Sequence, residues 1–213
     1  MTYAALPVLW DLDGTLVDSA ADIAAAVDRA LEAHGYAPLG PERVRKHIGS
    51  GAQNLVTRCV EEAGGAMTPA LLESFFTSYL ANVAVHTQLY PGLGGLLDAL
   101  ADRGVPQAIV TNKPVDITVA LLDALGLTRY FPVVYGGESL PKRKPHPMML
   151  HAAMADLGVD RAVMVGDGPH DVGAGRAAGL PVIGVNWGIA KPDGADVRVD
   201  TVAELTALLI PEP

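Results

Sequence analysis

At 213 residues the chain is long enough for one medium domain, or for a core domain carrying a modest insertion. Hydrophobic residues make up 50% of it and charged residues only 18%, which excludes global disorder and provides for a sizeable buried core. A formal net charge of −9 excludes broad electrostatic binding to nucleic acid or to an anionic membrane, while leaving room for a local basic pocket.

In chain order, Met1 to Trp10 is apolar, lacks a basic start and reads as a first strand, clearest over Leu6–Trp10, rather than as a signal peptide. It runs straight into the acidic loop Asp11-Leu12-Asp13-Gly14. Three amphipathic helical patterns follow, over Ala20–His34, Gly51–Ala63 and Pro69–Val85, with hardly any strand signal among them. Cys59, the only cysteine, falls on the second; it excludes an internal disulfide and a CxxC zinc pair, and is expected to be a small buried hydrophobe. Residues 19–86 are therefore predicted to form an all-helical domain carried on a loop, with hinges at Asp18-Ser19 and Tyr90-Pro91-Gly92. Residues 1–18 and 87–213 form the other domain.

From there strands and helices alternate. Helical patterns at Gly92–Arg103, Val115–Leu125 and Pro147–Leu157 each stop at a glycine (Gly104, Gly126, Gly158), the expected C-terminal signal. Apolar strand patterns lie at Pro106–Val110, Val133-Val134, Ala162–Val165 and Pro181–Val185, and Leu205–Leu209 is a closing helix. This alternation predicts an α/β fold with a doubly wound, Rossmann-like parallel sheet. Nowhere do the roughly 18 apolar residues of a membrane span run together, so a soluble cytoplasmic protein is expected.

Open α/β sheets bind ligands at the carboxyl ends of their strands. The predicted strands place there Asp11 and Asp13, then Thr111 and Asn112, then Asp167 and Asp171; Lys144, in the basic run Lys142-Arg143-Lys144, lies in a loop before a helix. Two carboxylates on one loop can divide nucleophilic and acid/base work. A third allows a hard, oxygen-ligated cation such as magnesium, while lysine and threonine suit phosphoryl oxygens.

Asp11-Leu12-Asp13-Gly14-Thr15-Leu16-Val17-Asp18-Ser19 resembles the first motif of the haloacid dehalogenase superfamily in its phosphatase form. Thr111-Asn112-Lys113, Lys144-Pro145-His146-Pro147 and Gly166-Asp167-Gly168-Pro169-His170-Asp171 resemble its second, third and fourth motifs, in order. The helical insertion is similar to that superfamily's C1-type cap. The resemblance implies that Asp11 attacks phosphorus to form an aspartyl-phosphate, and that Asp13 protonates the leaving oxygen and then activates water. It implies that Thr111 and the backbone at Asn112 hold phosphoryl oxygens and that Lys144 fixes Asp11 and the phosphate. It also implies Mg2+ held by the Asp11 carboxylate, the Asp13 carbonyl and Asp167, with Asp171 adjacent. Dehalogenases of the superfamily lack the second aspartate, so Asp13 points to phosphoryl chemistry. Gly168 departs from the serine often found there.

A closer resemblance, through Val44-Arg45-Lys46-His47-Ile48-Gly49-Ser50-Gly51, Val110 to Pro114 and Gly136-Gly137, is to the bacterial phosphoglycolate phosphatase family. It implies hydrolysis of 2-phosphoglycolate, with Arg45, Gly49 and Ser50 expected at the substrate's carboxylate end. His47 is a further candidate to reach substrate. The alternatives are another small-substrate phosphatase (sugar phosphate, nucleotide or pyrophosphate) and a phosphomutase of the β-phosphoglucomutase type. A non-catalytic protein would be expected to have lost at least one of Asp11, Asp13, Lys144 or Asp167. A phosphoacceptor of response-regulator type would carry its aspartate on a middle strand and lack the insertion. The expected partner is a small phosphorylated substrate, with no nucleic acid and no membrane, in a monomer or homodimer.

Overall fold

The structure, a computed structural model, describes residues 3, 4 and 6–210; Met1, Thr2 and Ala5 of the first apolar run lie outside the described residues. In chain order its elements are β1 (Val8–Trp10), β2 (Val17–Asp18), α1 (Ala20–Ala33), α2 (Pro41–Arg45), α3 (Ala52–Glu62), α4 (Pro69–Leu80), β3 (Gln88–Leu89) and α5 (Leu93–Asp102). Then come β4 (Gln107–Val110), α6 (Val115–Ala124), β5 (Val133–Tyr135), α7 (Met148–Leu157), β6 (Val163–Gly166), α8 (Pro169–Ala177), β7 (Val182–Val185), β8 (Val197–Val199) and α9 (Val202–Leu209).

Among the described residues, six strands form one parallel sheet in the order β5-β4-β1-β6-β7-β8. The chain starts in the middle, builds outward through β4 and β5, and returns to β6 on the other side of β1. That reversal makes the carboxyl end of β1 the switch point, where adjacent loops diverge and leave a crevice. Alternation in β1 divides the core: Val8 and Trp10 face a layer with Leu96 and Leu97 of α5, Leu121 of α6 and Leu205 of α9. Leu9 faces the opposite layer with Met149 and Leu150 of α7 and Val172 of α8. Both faces are covered, as parallel sheets require, and this explains strands that are apolar throughout.

Helices α1 to α4 enclose a separate apolar cluster. Ile23, Val27, Ala30 and Leu31 form the inner stripe of α1 at helical spacing and pack with Val56, Val60, Leu71 and Phe75. Cys59 lies in this cluster, fully buried, and burial pushes its thiol up to about 12. It is the buried hydrophobe expected from the sequence, not a reactive thiolate. No helix among the described residues is long and apolar enough to cross a membrane.

Three details differ from the sequence reading. Helix α2 has only five residues, too few to display a helical period, and Pro41 opens it. Strand β8 was invisible because it is three residues long and centred on the exposed Arg198. Helix α4 ends at Leu80 rather than Val85, with Asn82 Nδ2 donating back to the Ser78 carbonyl at 2.9 Å.

The two connections between the helices and the sheet pair with each other as the antiparallel ribbon β2–β3. Asp22, in the first turn of α1, locks this junction. Its carboxylate accepts from the backbone N–H groups of His86 and Thr87 and from the Thr87 hydroxyl, at 2.7–3.1 Å. Burial raises the Asp22 pKa, but these donors outweigh it and the net shift is downward. A depressed carboxylate contributes stability above its unfolded value near 3.8, lost as pH falls through the lower folded value. Asp22→Ala is expected to cost on the order of 3 kcal/mol, since it strands buried donors. Urea midpoints at pH 7 and pH 3 check this: the wild-type advantage should be large at pH 7 and reduced at pH 3.

Candidate active site

The crevice at the carboxyl end of β1 collects the acidic loop and its partners from three neighbouring strands. Asp11 and Asp13 follow β1, Thr111 to Lys113 follow β4, and Asp167 follows β6, with Asp171 in the first turn of α8. Lys144 reaches in from the connection between β5 and α7, and its peptide bond to Pro145 is cis. Gly14 has φ +81°, and a Cβ there would lie 2.8 Å from Asp167 Cγ and 2.9 Å from the Ile189 nitrogen. Only glycine meets both conditions.

The Lys144 ammonium bridges Asp11 Oδ1 at 2.8 Å and Asp171 Oδ1 at 2.6 Å, with its side chain 1% exposed. Burial opposes its charge, but Asp11 and Asp171 more than compensate and its pKa is raised. Oxygens of Asp11, Asp167 and Asp171 all lie within 4.8 Å of one another. Burial, then the neighbouring Asp11 charge, pushes Asp167 up to about 6 and also raises Asp171. Three carboxylates thus cluster at one ammonium, which pairs with two of them. That excess of negative charge, on oxygen donors, fits a hard divalent cation.

The carboxylates are fixed from outside. Asp167 Oδ2 accepts from the Ile189 and Ala190 backbone N–H groups at 2.7 and 2.9 Å. Asp171 Oδ2 accepts from the Gly168 N–H at 3.0 Å, so the missing serine side chain leaves Asp171 still held, by backbone. Pro169 starts α8 where its missing N–H costs nothing.

Asp13 stands apart from this cluster. Its carboxylate is held by the Lys113 ammonium at 2.9 and 3.1 Å and by the Ser19 hydroxyl at 2.5 Å. The Tyr79 hydroxyl of α4 accepts from Lys113 at 2.5 Å, and the ammonium also lies 4.4 Å from that ring's centroid. Burial, then the Asp13 charge, raises Tyr79 well above its ordinary value, so the phenol stays neutral. Lys113 and Ser19 lie within the sequence motifs, but nothing local to them specifies Asp13 as their partner, and the periodicity of Tyr79 reads as core.

A cavity of about 260 Å3 opens over these groups, floored by Asp11, Asp13, Thr111, Lys144 and Asp167 and roofed by Ile23, Ile48, Leu55 and Phe75. Thr111 and Asn112 line it, and the Asn112 side-chain amide donates to the carbonyls of Lys144 at 3.0 Å and Gly49 at 3.1 Å. Gly49 also lines the cavity; Arg45 and Ser50 do not. The Arg45 guanidinium instead donates to the Gly188 carbonyl at 3.1 Å, joining α2 to the loop after β7. The neighbouring Lys46 takes the lining position. His47 pairs with Glu62 at 2.8 Å, outside the cavity, whereas His170 lines it. In the basic run, Lys142 and Arg143 line an open groove with Pro145 and His146, and the Arg143 guanidinium also lies against Gly51 of the cavity lining. Trp10 and Trp187 are packing residues, bonded to Gln107 and to the Thr15 carbonyl.

A doubly wound sheet with paired aspartates at its switch point, a buried lysine and a roofed cavity defines a hydrolase class suited to phosphoryl transfer. The sequence pattern of the haloacid dehalogenase-like hydrolases matches residues 8–185, and the chain belongs to that family. It is 38% identical over 211 residues to the phosphoglycolate phosphatase of Chromobacterium violaceum, covering 95% of each chain. Identity to the phosphoglycolate phosphatase of Rhodobacter capsulatus is 40% over 189 residues, covering 86% of this chain and 85% of the relative. The fold is similar to the crystal structure of a predicted phosphoglycolate phosphatase from Haemophilus somnus, with TM-score 0.87 and 30% identity over 96% of this chain and 97% of that one. Within the family, this chain is a phosphatase, a phosphoric monoester hydrolase.

Proposed function

We propose that the enzyme hydrolyses a small phosphomonoester bearing a carboxylate, 2-phosphoglycolate foremost, through an aspartyl-phosphate on Asp11 and with Mg2+ as cofactor. The observation that carries this reading is the Lys144 ammonium set between Asp11 and Asp171 on the floor of the cavity, beside Thr111. Lys144 orients the Asp11 carboxylate for in-line attack and offsets the charge of the phosphoryl oxygens. Thr111 binds one of those oxygens. Lys113 and Ser19 aim the Asp13 carboxyl, which in its protonated form gives a proton to the departing alkoxide oxygen and, as the resulting carboxylate, takes one from the water that cleaves the acyl phosphate. The Asp11 and Asp167 carboxylates and the Asp13 backbone carbonyl would hold the cation, with Asp171 alongside. When bound, Mg2+ supplies further neutralisation of phosphoryl charge.

Residues 19–86 act as a cap over the core formed by 1–18 and 87–213, moving about the β2–β3 ribbon to admit substrate and exclude water. The substrate is small because the cavity, about 260 Å3, is below the roughly 300–1,000 Å3 of drug-sized sites. The names of the relatives from Chromobacterium violaceum and Rhodobacter capsulatus favour phosphoglycolate among small esters.

Hydrolysis of a panel of small phosphoesters, with and without Mg2+, tests the reading. Phosphoglycolate should lead the panel, and EDTA should abolish turnover; a sugar phosphate or nucleotide turned over better would sink the substrate assignment. Independently of activity, Mg2+ should raise the melting temperature by on the order of 5 °C at saturating concentration. Asp167→Asn should remove most of that shift, and an unchanged shift would place the cation elsewhere.

A further inference from the structure

Three ammonium groups line the cavity, and two are already engaged. Lys144 is shared by Asp11 and Asp171, and Lys113 by Asp13 and Tyr79. The third, Lys46 at the C-terminal end of α2, is exposed, and its ammonium makes no hydrogen bond or ion pair among the described residues. It is also the one charged side chain that residues 19–86 contribute to the lining, where its companions Ile23, Ile48, Leu55 and Phe75 are apolar. All four lining aspartates lie on the opposite, sheet side.

The segment carrying Lys46 is pinned at both ends. Arg45 donates to the Gly188 carbonyl at 3.1 Å, and Asn112, next to Thr111, donates to the Gly49 carbonyl at 3.1 Å. The first bond commits the Arg45 guanidinium to a backbone carbonyl, and Lys46 is left as the uncommitted ammonium in the lining. An ester whose phosphoryl group rests on Thr111 and Lys144 directs its other end toward the roof. An anion at that end, surrounded by apolar side chains, requires a cation to offset its lost hydration. A flexible lysine with an uncommitted charge supplies one.

We propose that Lys46 is the specificity-determining residue, binding the substrate's carboxylate while the sheet side holds its phosphoryl group. The proposal rests on the reading that the ester carries a carboxylate, and it assigns to Lys46 the recognition that the sequence had suggested for Arg45. Because Lys46 is exposed, its replacement leaves the fold intact, which circular dichroism verifies.

The test compares 2-phosphoglycolate, ethyl phosphate and phosphoethanolamine, esters of similar size ending in an anion, a neutral methyl group and a cation. In Lys46→Ala the ratio of kcat/KM for phosphoglycolate to that for ethyl phosphate should fall about 10- to 100-fold, the range for losing a charge-assisted hydrogen bond. The loss should appear mainly in KM for phosphoglycolate, as expected for a contact made equally in ground and transition states. Lys46→Arg should retain most of the ratio, and Lys46→Glu should shift preference toward phosphoethanolamine. A high wild-type ratio that survives Lys46→Ala, or an equal loss on both esters, overturns the role of Lys46 alone. A wild-type ratio near one overturns the carboxylate reading and Lys46 with it.

Discussion

Asp11→Asn is expected to lower kcat by at least about 10⁴-fold, on the scale seen when a catalytic nucleophile is removed. Asparagine matches aspartate in shape, so the variant should keep its fold and cavity. It loses one partner of Lys144, held at 2.8 Å in the native enzyme, and with it the charged oxygen that, on the proposed mechanism, attacks phosphorus. Two measurements distinguish a nucleophile from a carboxylate that merely assists. Steady-state hydrolysis should be nearly absent, and acid-quenched wild-type enzyme should carry a phosphoryl group that the variant never acquires. Hydrolysis persisting within tenfold of wild type would reassign the nucleophile, with Asp13 the next candidate.

Lys144→Ala is expected to damage stability and catalysis together. The ammonium is buried among Asp11, Asp167 and Asp171, and it is the one cation in direct contact with that group among the described residues. Breaking a buried pair from one side costs about 3–5 kcal/mol, because the remaining charge has neither water nor partner. Here two partnered carboxylates are stranded and a third lies beside them. Catalysis should fall by roughly 10³-fold or more, as when a preorganised charge at a developing oxyanion is removed. Urea denaturation and single-turnover kinetics separate the two effects. Saturating Mg2+ should recover part of the stability by offsetting the unpaired carboxylate charge, without restoring Asp11's orientation or the rate. Full recovery of activity by the metal would show that Lys144 serves only to balance charge.

Much of this arrangement was legible in the sequence because it obeys rules with a period or a fixed position. Apolar runs ending in acidic or threonine-containing loops identified β1, β4 and β6, and the glycines at 104, 126 and 158 marked the ends of α5, α6 and α7. Strand ends in such a sheet converge on one crevice, so the strand pattern alone brings Asp11, Thr111 and Asp167 together. The long stripe of α1 likewise announced a helical unit after the first strand.

The residues that escaped were those without a period. Helix α2, at five residues, and the glycine-containing loop after it specify no repeating face. That Arg45 is committed to a carbonyl while Lys46 stays unpaired in the lining depends on the bond from Arg45 to Gly188, a contact across 143 positions of chain. The Asp13 contact was equally hidden: Lys113 lies 100 positions away, and Tyr79 comes from the helical insertion. The sequence by itself determined the sheet and the helical insertion, since local pattern and strand geometry suffice for these, and its motifs carried the family resemblance that implies phosphoryl chemistry. Only the tertiary structure decided the partners of each charge and the cation facing the cavity, because side-chain direction outside regular elements is set by long-range contacts.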